Sequence, residues 1–301
     1  MQNTIYFAGG CFWGVEHFFK GVDGVLATEP GYANGNTANP TYEQVYTDTT
    51  GFAETVRVVY DPSRVGLGKL VRLFFTTIDP LSLNRQGHDE GTRYRTGVYY
   101  TSEDELPVIE EEFRLLRGRI GADPVVELEP LRCFYGAEER HRDYLDKNAG
   151  GYCHLPLKTF RYLRLYQDLV LLLGDEPDPV ARQAEAAALI FERMRFFWVG
   201  FYRVCGEQLV LGPFQGPAAC LRIARGRGVC GTARQQALTV VVPDVEEFPG
   251  HIACSSLSHS EIVVPLLRAG TVTAVLDIDS TELATFDETD AIWLELICEA
   301  V

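Results

Sequence analysis

Cys11 is the first residue of this chain with chemistry to offer, and it sits in Gly9-Gly10-Cys11-Phe12-Trp13-Gly14. Thr4 to Ala8 before it read as a short buried strand. Phe12, Val15, Phe19 and Val22 after it recur at helical spacing. Cys11 is therefore expected in the first turn of a helix. Unpaired amides and the helix dipole there favour an anion, so the thiol is expected to ionise more easily than a free one. A thiolate beside two large aromatics would be a nucleophile at an apolar pocket. Taken alone, the stretch reads more plainly as a small buried cysteine in a turn.

Carboxyls on apolar faces come next. Ala53 to Tyr60 alternates like a strand, and Glu54 shares its face with Val56, Val58 and Tyr60. Such a carboxyl is either a rim residue or a group whose pKa desolvation raises. Asp277 and Asp279 alternate with Leu276 and Ile278, so both face one side of a strand. Two strand-end aspartates facing solvent are the bland alternative. Gly226, Gly228 and Gly231 have the spacing of a dinucleotide fingerprint. That reading is rejected, because it needs a parallel strand–helix–strand unit and an acidic residue about 20 positions on.

The 301 residues suffice for two domains, each with its own core. The formal net charge is −15 and both halves are acidic, which argues against nucleic-acid and anionic-membrane partners. No apolar run is long enough to span a bilayer, and Met1-Gln2-Asn3 lacks a basic signal region, so a cytoplasmic protein is expected. In a reducing compartment, eight cysteines point to thiol chemistry or metal more than to structural disulfides. No Cys-x-x-Cys pair and no zinc-like spacing occurs among them.

The elements that must position these groups split near Phe160. Before it, a helix is expected from Leu67 to Ile78, a polar loop from Asn84 to Arg95, and a strand at Val98 to Tyr100. A Ser102/Glu105 capping box opens a helix to about Leu116, followed by a strand from Val125 and a short helix from Glu138 to Tyr144. Asn148 to Cys153 is glycine-rich and carries a thiol. After Phe160, two helices (Leu163 to Leu173, Val180 to Met194) lead into six strands between Phe197 and Ile278, and Glu288 to Ala300 closes as a helix. An α+β chain of two domains, 1–160 and 161–301, is expected, the second an antiparallel sheet with helices on one face.

Several separated motifs of the first half agree in order: Gly10-Cys11-Phe12-Trp13-Gly14, Gly31-Tyr32-Ala33-Asn34-Gly35, Asn39-Pro40-Thr41-Tyr42, Ala53-Glu54, Arg85-Gln86-Gly87, Asp89 and Gly91-Thr92-Arg93-Tyr94-Arg95. Together they resemble the peptide methionine-(S)-sulfoxide reductase family over roughly residues 4–154. The resemblance implies an α/β sandwich in which Cys11 attacks the sulfoxide sulfur and Phe12 and Trp13 hold the substrate methyl group. Glu54 would protonate the oxygen, with Tyr42 and Tyr94 donating hydrogen bonds to it and Asp89 supporting the site. The chemistry agrees: a sulfoxide oxygen leaves poorly until protonated, so an acid held neutral near pH 7 is needed. Attack leaves a sulfenic acid that a second thiol converts to a disulfide, and Cys153 on its flexible segment suits that step. Cys133 reads as structural.

In the second half, Trp198-Val199-Gly200-Phe201-Tyr202, Leu211 to Gly216, Ala219-Cys220, Gly226 to Gly231, Gly250-His251-Ile252-Ala253-Cys254, Ser260-Glu261-Ile262-Val263 and Leu276-Asp277-Ile278-Asp279-Ser280 are similar to the free methionine-(R)-sulfoxide reductases built on a GAF scaffold. The similarity covers roughly residues 162–300. It implies Cys254 as nucleophile, Cys220 as resolving thiol and Cys230 as a second disulfide candidate. Glu261, Asp277 and Asp279 would line the pocket with Trp198 and Tyr202. Ser255-Ser256-Leu257-Ser258-His259 departs from the acidic or small residue expected after the nucleophile. Cys205 and Cys298 read as packed hydrophobes.

The expectation is a fused enzyme, an S-epimer domain followed by a free R-epimer domain, acting on free and peptide-bound methionine sulfoxide but not on the peptide-bound R epimer, with no metal or organic cofactor. Thioredoxin or a similar dithiol protein would supply electrons. Two alternatives stand beside it: a ligand-sensing GAF domain that regulates the first half, and a metal or disulfide staple made by Cys220, Cys230 and Cys254.

Overall fold

The structure is a computed structural model that describes residues 2–252 and 255–301. Its chain divides into two units, Met1–Phe160 and Arg161–Val301. The first unit runs β1 (Asn3–Gly9), α1 (Phe12–Lys20), β2 (Val25–Ala33), α2 (Tyr42–Tyr46), β3 (Ala53–Tyr60), α3 (Leu67–Phe75), β4 (Arg85–Gln86), β5 (Asp89–Glu90), β6 (Thr96–Tyr100), α4 (Leu106–Ile120), β7 (Glu127–Pro130), β8 (Phe134–Gly136) and α5 (Tyr144–Lys147). The second runs α6 (Leu157–Leu173, which starts just before the division), α7 (Pro179–Met194), β9 (Trp198–Cys205), β10 (Gln208–Gln215), β11 (Arg222–Ala224), α8 (Gly228–Gln236), β12 (Val240–Val242), β13 (Ser260–Arg268), β14 (Thr271–Ser280) and α9 (Glu288–Ala300).

In the first unit six strands form one sheet in the order β7-β6-β1-β3-β2-β8, antiparallel except for the β6–β7 pair. Alternation sorts the side chains of its two central strands. Ile5 and Phe7 on β1 lie on one face, with Val56 opposite Phe7 on β3. Phe7 stacks there on Phe19 of α1 and Phe74 of α3, at ring distances of 4.7 and 4.8 Å. Glu54 is two residues from Val56 and so points to that same face, beneath the start of α1. The other face carries Tyr6, Ala8, Ala33, Ala53 and Tyr99 as a smaller cluster. The Ser102/Glu105 capping box is present and leads into α4, whose left-handed Gly121 ends it.

Some local expectations are corrected. The segment Glu138 to Tyr144 is not one helix: a single turn, Glu139–His141, is broken at left-handed Asp143 before α5 begins. The polar stretch from Asn84 is a two-stranded hairpin, β4–β5, followed by the turn Thr92–Tyr94, and Gln86, Arg93 and Tyr94 in it are buried.

The second unit is a fully antiparallel sheet in the order β11-β10-β9-β14-β13-β12. Helices cover both of its faces rather than one. Trp198, Tyr202, Val263 and Val275 cluster with Val229, Cys230 and Ala233 of α8. Val199, Phe201, Ile262, Leu276 and Ile278 alternate to the opposite face and are fully buried there. α7 lies against β9 and β10, and α9 against β13. α9 is started by an Asp287/Asp290 capping box, and the Tyr162 hydroxyl of α6 donates to Asp290 at 2.8 Å.

Candidate active sites

In the first unit the left-handed turn at Gly10 delivers Cys11 to the N-cap of α1. The Phe12 amide, one of the donors a helix start leaves unpaired, gives its hydrogen to Glu54 Oε2 at 3.1 Å. Cys11 is 5 % exposed and Glu54 2 %, so the nucleophile candidate and the acid candidate meet in a nearly dry place. Burial pushes Glu54 up to about 8, against the pull of the Phe12 amide and the Arg93 charge. Its carboxyl is therefore protonated at neutral pH. The expected easy ionisation of Cys11 is overturned. Burial, and then the charge of an ionised Glu54, raise the thiol well above its ordinary value, and the Trp13 amide against the sulfur offsets only part of this. Desolvation of a small buried thiol outweighs the field of one helix end.

Aromatic rings build the wall. Tyr32 stands opposite Glu54 across the β2–β3 ladder, its ring 6.0 Å from that of Phe12. Its hydroxyl donates to Glu138 at 2.8 Å, and the other oxygen of Glu138 accepts the Tyr42 amide at 2.8 Å. Burial, and next the Glu54 charge, push Tyr42 up to about 12 and raise Tyr94 also, so both phenols remain donors. Tyr94 sits on the turn Thr92–Tyr94, whose Arg93 guanidinium lies 4.4 Å from the Tyr94 ring and is paired with Asp48. Asp89 accepts from the Tyr152 hydroxyl at 2.8 Å, one residue before Cys153. Cys153 is half-buried, a free thiol raised by burial, and its charge bears on Cys11. Cys11, Glu54, Tyr42, Tyr94, Phe12, Trp13 and Cys153 are thus brought together around one helix start.

Four residues of this wall were given no site role from the sequence: Tyr32, Glu138, His141 and Tyr144. Tyr144 stacks on Trp13 with ring centres 3.7 Å apart. His141 is buried, 5.5 Å from the Phe12 ring, 5.8 Å from Trp13 and 4.6 Å from Tyr42. Burial, and then Arg140, lower its pKa, so it is neutral. The signals in the sequence were the motif Gly31 to Gly35, which holds Tyr32, and the clustering of the other three between Ala137 and Lys147.

In the second unit the register of β13 with β14 sets Glu261 opposite Asp279, with Asp277 two residues further along the same face. Cys230, in the first turn of α8, completes the group. Donor atoms of Cys230, Glu261 and Asp277 all lie within 4.8 Å of one another, the one such convergence among the described residues. Burial, then the neighbouring carboxylates, raise Glu261 and Asp277 well above the carboxylate range, and burial lifts Asp279 to about 6. Such a set can take up protons, an ammonium group or a small cation. Of the three cysteines of the staple alternative, Cys230 stands here with two carboxylates, and Cys254 lies outside the described residues.

The cavity has two lobes that share Ser258, Asp277 and Asp279. Cys230, Glu261 and His251 line one; Trp198, Tyr202 and Ala219 line the other. Gly200 makes room for Trp198 to stack on Phe214 at 5.6 Å, since a Cβ there would stand 2.3 Å from the Trp198 ring. The Trp198 Nε1–H donates to the Pro217 carbonyl at 3.0 Å, and the Tyr202 hydroxyl to the Cys220 carbonyl at 3.0 Å. Cys220 is disulfide-bonded, whereas Cys230 is a free thiol raised by burial and by Asp277. Cys254 lies outside the described residues. Cys298 is buried, but Cys205 is exposed at the end of β9 and is not a packed hydrophobe.

A buried thiol beside a protonated carboxylic acid has the parts that thiol-dependent reduction of an oxygen-bearing substrate needs. A sequence profile described as peptide methionine sulfoxide reductase matches residues 3–168, and one described as GAF domain matches residues 178–301. The peptide methionine sulfoxide reductase MsrA of Clostridium acetobutylicum is 55 % identical over 160 residues, 53 % of this chain and 99 % of that protein. The structure of Mxr1 from Saccharomyces cerevisiae in reduced form shares 34 % identity at a TM-score of 0.50, covering 52 % of this chain and 92 % of that one. Free methionine-R-sulfoxide reductase from Neisseria meningitidis, solved in complex with its substrate, is 52 % identical over 46 % of this chain and 84 % of that one, at a TM-score of 0.46. This chain belongs to the peptide methionine sulfoxide reductase family. It is a methionine sulfoxide reductase that carries a GAF domain after its reductase domain. Among the described residues no helix is long and apolar enough to cross a membrane.

Proposed function

We propose that the two sites divide the two epimers of methionine sulfoxide between them, the S epimer in the first unit and the free R epimer in the second. Each epimer of a chiral sulfoxide needs its own site. The observation that carries the first assignment is Glu54, a carboxyl protonated up to about pH 8 and bonded to the first amide after Cys11. Cys11 sulfur attacks the sulfoxide sulfur while Glu54 gives its proton to the oxygen, and Tyr42 and Tyr94 donate to that oxygen. Phe12 and Trp13 hold the methyl group. The balance is one sulfoxide and one thiol in, one methionine and one Cys11 sulfenic acid out. Cys153 then displaces water from the sulfenic acid to give the disulfide, and thioredoxin or a similar dithiol restores both thiols.

In the second unit Cys254 is the nucleophile and Cys220 the resolving thiol. The free Cys230 thiol belongs with the carboxylates as a pocket wall. Glu261, Asp277 and Asp279 bind the substrate ammonium and hold the proton that the oxygen takes. Trp198 and Tyr202 close the apolar side. The test gives the full chain each pure epimer of free methionine sulfoxide with dithiothreitol as reductant. Reduction of both is expected. Reduction of the S epimer alone would remove the second assignment and leave a GAF domain with a sensing role.

A further inference from the structure

Three glycines, two near the start of α1 and one in the β4–β5 hairpin, share one neighbour. A Cβ on Gly10 would stand 3.6 Å from His154 Nε2, one on Gly14 3.2 Å from His154 Cε1, and one on Gly87 3.5 Å from His154 Cβ. They lie at the turn before Cys11, in the first turn of α1, and between the two strands of the β4–β5 hairpin. All three border the slot that the His154 side chain fills, and Gly14 is the one where a Cβ would press on the ring. The same Gly14 position that borders the ring would stand 3.0 Å from Cys153 Sγ.

The ring is a poor choice for packing alone. Both of its nitrogens are buried without a hydrogen-bond partner; the backbones of Gly9 and Thr77 lie near them without completing one. A buried polar group left unpaired opposes stability, so an apolar side chain would fill the slot at lower cost. What the ring does provide is a rigid plug one residue from a thiol in a segment with little regular structure. Residues 148–156 contain no helix or strand. Their other tie to the hairpin is the Tyr152 hydroxyl on Asp89.

We propose that His154 is a positioning residue for the second half of the reaction: seated in the slot of Gly10, Gly14 and Gly87, it holds Cys153 against α1, in reach of the sulfenic acid formed on Cys11. The step it serves forms the S–S bond between Cys11 and Cys153, breaks the S–O bond of the sulfenic acid, and releases water with the Cys153 proton. This deepens the proposed function and rests on its assignment of Cys153 as the resolving thiol. Gly14 serves the same step, because a side chain there would push the thiol off the helix.

The experiment separates the two half-reactions in the full-length chain, using the S epimer and no reductant. Methionine released in the first turnover reports attack by Cys11. The Cys11–Cys153 linked peptide, trapped by acid quench and alkylation, reports resolution. His154→Ala and Gly14→Ala are expected to release methionine at a rate within about twofold of wild type and to form the linked peptide at least about tenfold more slowly. Linkage within twofold of wild type in both variants would overturn the proposal. Equal slowing of both half-reactions would do so too, since it would make His154 a structural residue. Cys153→Ser runs in parallel. If it sustains thioredoxin-driven turnover, the assignment of Cys153 itself has failed and the slot has nothing to position.

Discussion

In the proposed function the two sites hold a proton ready for a sulfoxide oxygen with different sets of carboxyls. The first uses a single carboxyl, Glu54, made weak by burial under a helix start and surrounded by aromatic rings. The second uses three carboxyls on adjacent strands, each raised first by burial, with Glu261 and Asp277 raised further by their charged neighbours. One arrangement offers a substrate no formal charge to pair with, and the other offers carboxyls that can give up protons to pair with a bound cation. The contrast teaches that proton supply and substrate recognition are separate problems. Desolvation alone solves the first. A carboxylate cluster solves both when the substrate brings its own cation.

The largest effect that would break this comparison is loss of a nucleophile. Cys11→Ser is expected to lose S-epimer reduction to background and keep R-epimer reduction, and Cys254→Ser the reverse. Steady-state assays on the two pure epimers check it. A variant that loses both activities, or neither, would end the division of labour.

Next in size is the acid. Glu54→Gln should slow the first turnover on the S epimer by roughly a hundredfold or more, because an amide cannot protonate the leaving oxygen. The wild-type rate should fall as pH rises above about 8, where Glu54 loses its proton, and the variant should lack that limb. A stability effect follows with a definite sign. The folded-state pKa of Glu54 lies above the unfolded value of about 4.3, so its contribution is fully present below that value and is lost as pH rises through about 8. Melting curves should show Glu54→Gln gaining on wild type across that window. A constant difference would mean that Glu54 is not desolvated.

Much of the first site was legible from local pattern. β3 occupies Ala53–Tyr60 as its alternation indicates, and the same alternation turned Glu54 inward. α9 and the Ser102/Glu105 capping box were legible for the same reason, since periodicity and caps are local. β2 was hidden because Glu29-Pro30-Gly31 breaks the strand pattern, although Pro30 pairs with Val56 on β3 and its carbonyl accepts the Ala137 amide. α8 was hidden because its first residues are the glycines of a loop-like run, so the cover of the second cavity could not be seen. The acidity of Cys11 was misread because burial is a property of the whole fold. Glu16 was passed over on the same ground: burial, then Asp143, lift it to about 7.

The third effect sharpens the comparison at the level of recognition. If Glu261, Asp277 and Asp279 pair with an ammonium, N-acetylation of the R epimer should cost at least roughly 10- to 100-fold, the value of a charged hydrogen bond lost in a buried site. The S epimer should suffer far less at the first site, whose wall of Phe12, Trp13 and Tyr42 is aromatic. The ratio of rates on free and acetylated substrate, measured for each epimer, decides this. Equal ratios would mean that the cluster serves proton supply alone.

The smallest effect concerns how each site fixes its tryptophan. Trp198 has a double anchor, the stack on Phe214 and the hydrogen bond from Nε1 to the Pro217 carbonyl. Trp13 has no partner for its buried Nε1 and is held by rings alone, most closely by Tyr144 at 3.7 Å. An aromatic pair is worth about 0.5–1.5 kcal/mol beyond its buried area, which corresponds to roughly 2- to 12-fold in binding. Tyr144→Ala should therefore raise KM for the S epimer by a factor in that range with kcat little changed, since the methyl pocket loosens while Cys11 and Glu54 stay in place. Phe214→Ala should raise KM for the R epimer less, because the hydrogen bond keeps the Trp198 ring where it is. If the two substitutions act equally, the Pro217 bond contributes nothing to the second pocket. If Tyr144→Ala lowers kcat instead of raising KM, Trp13 acts on the reacting atoms and is more than a wall for the methyl group.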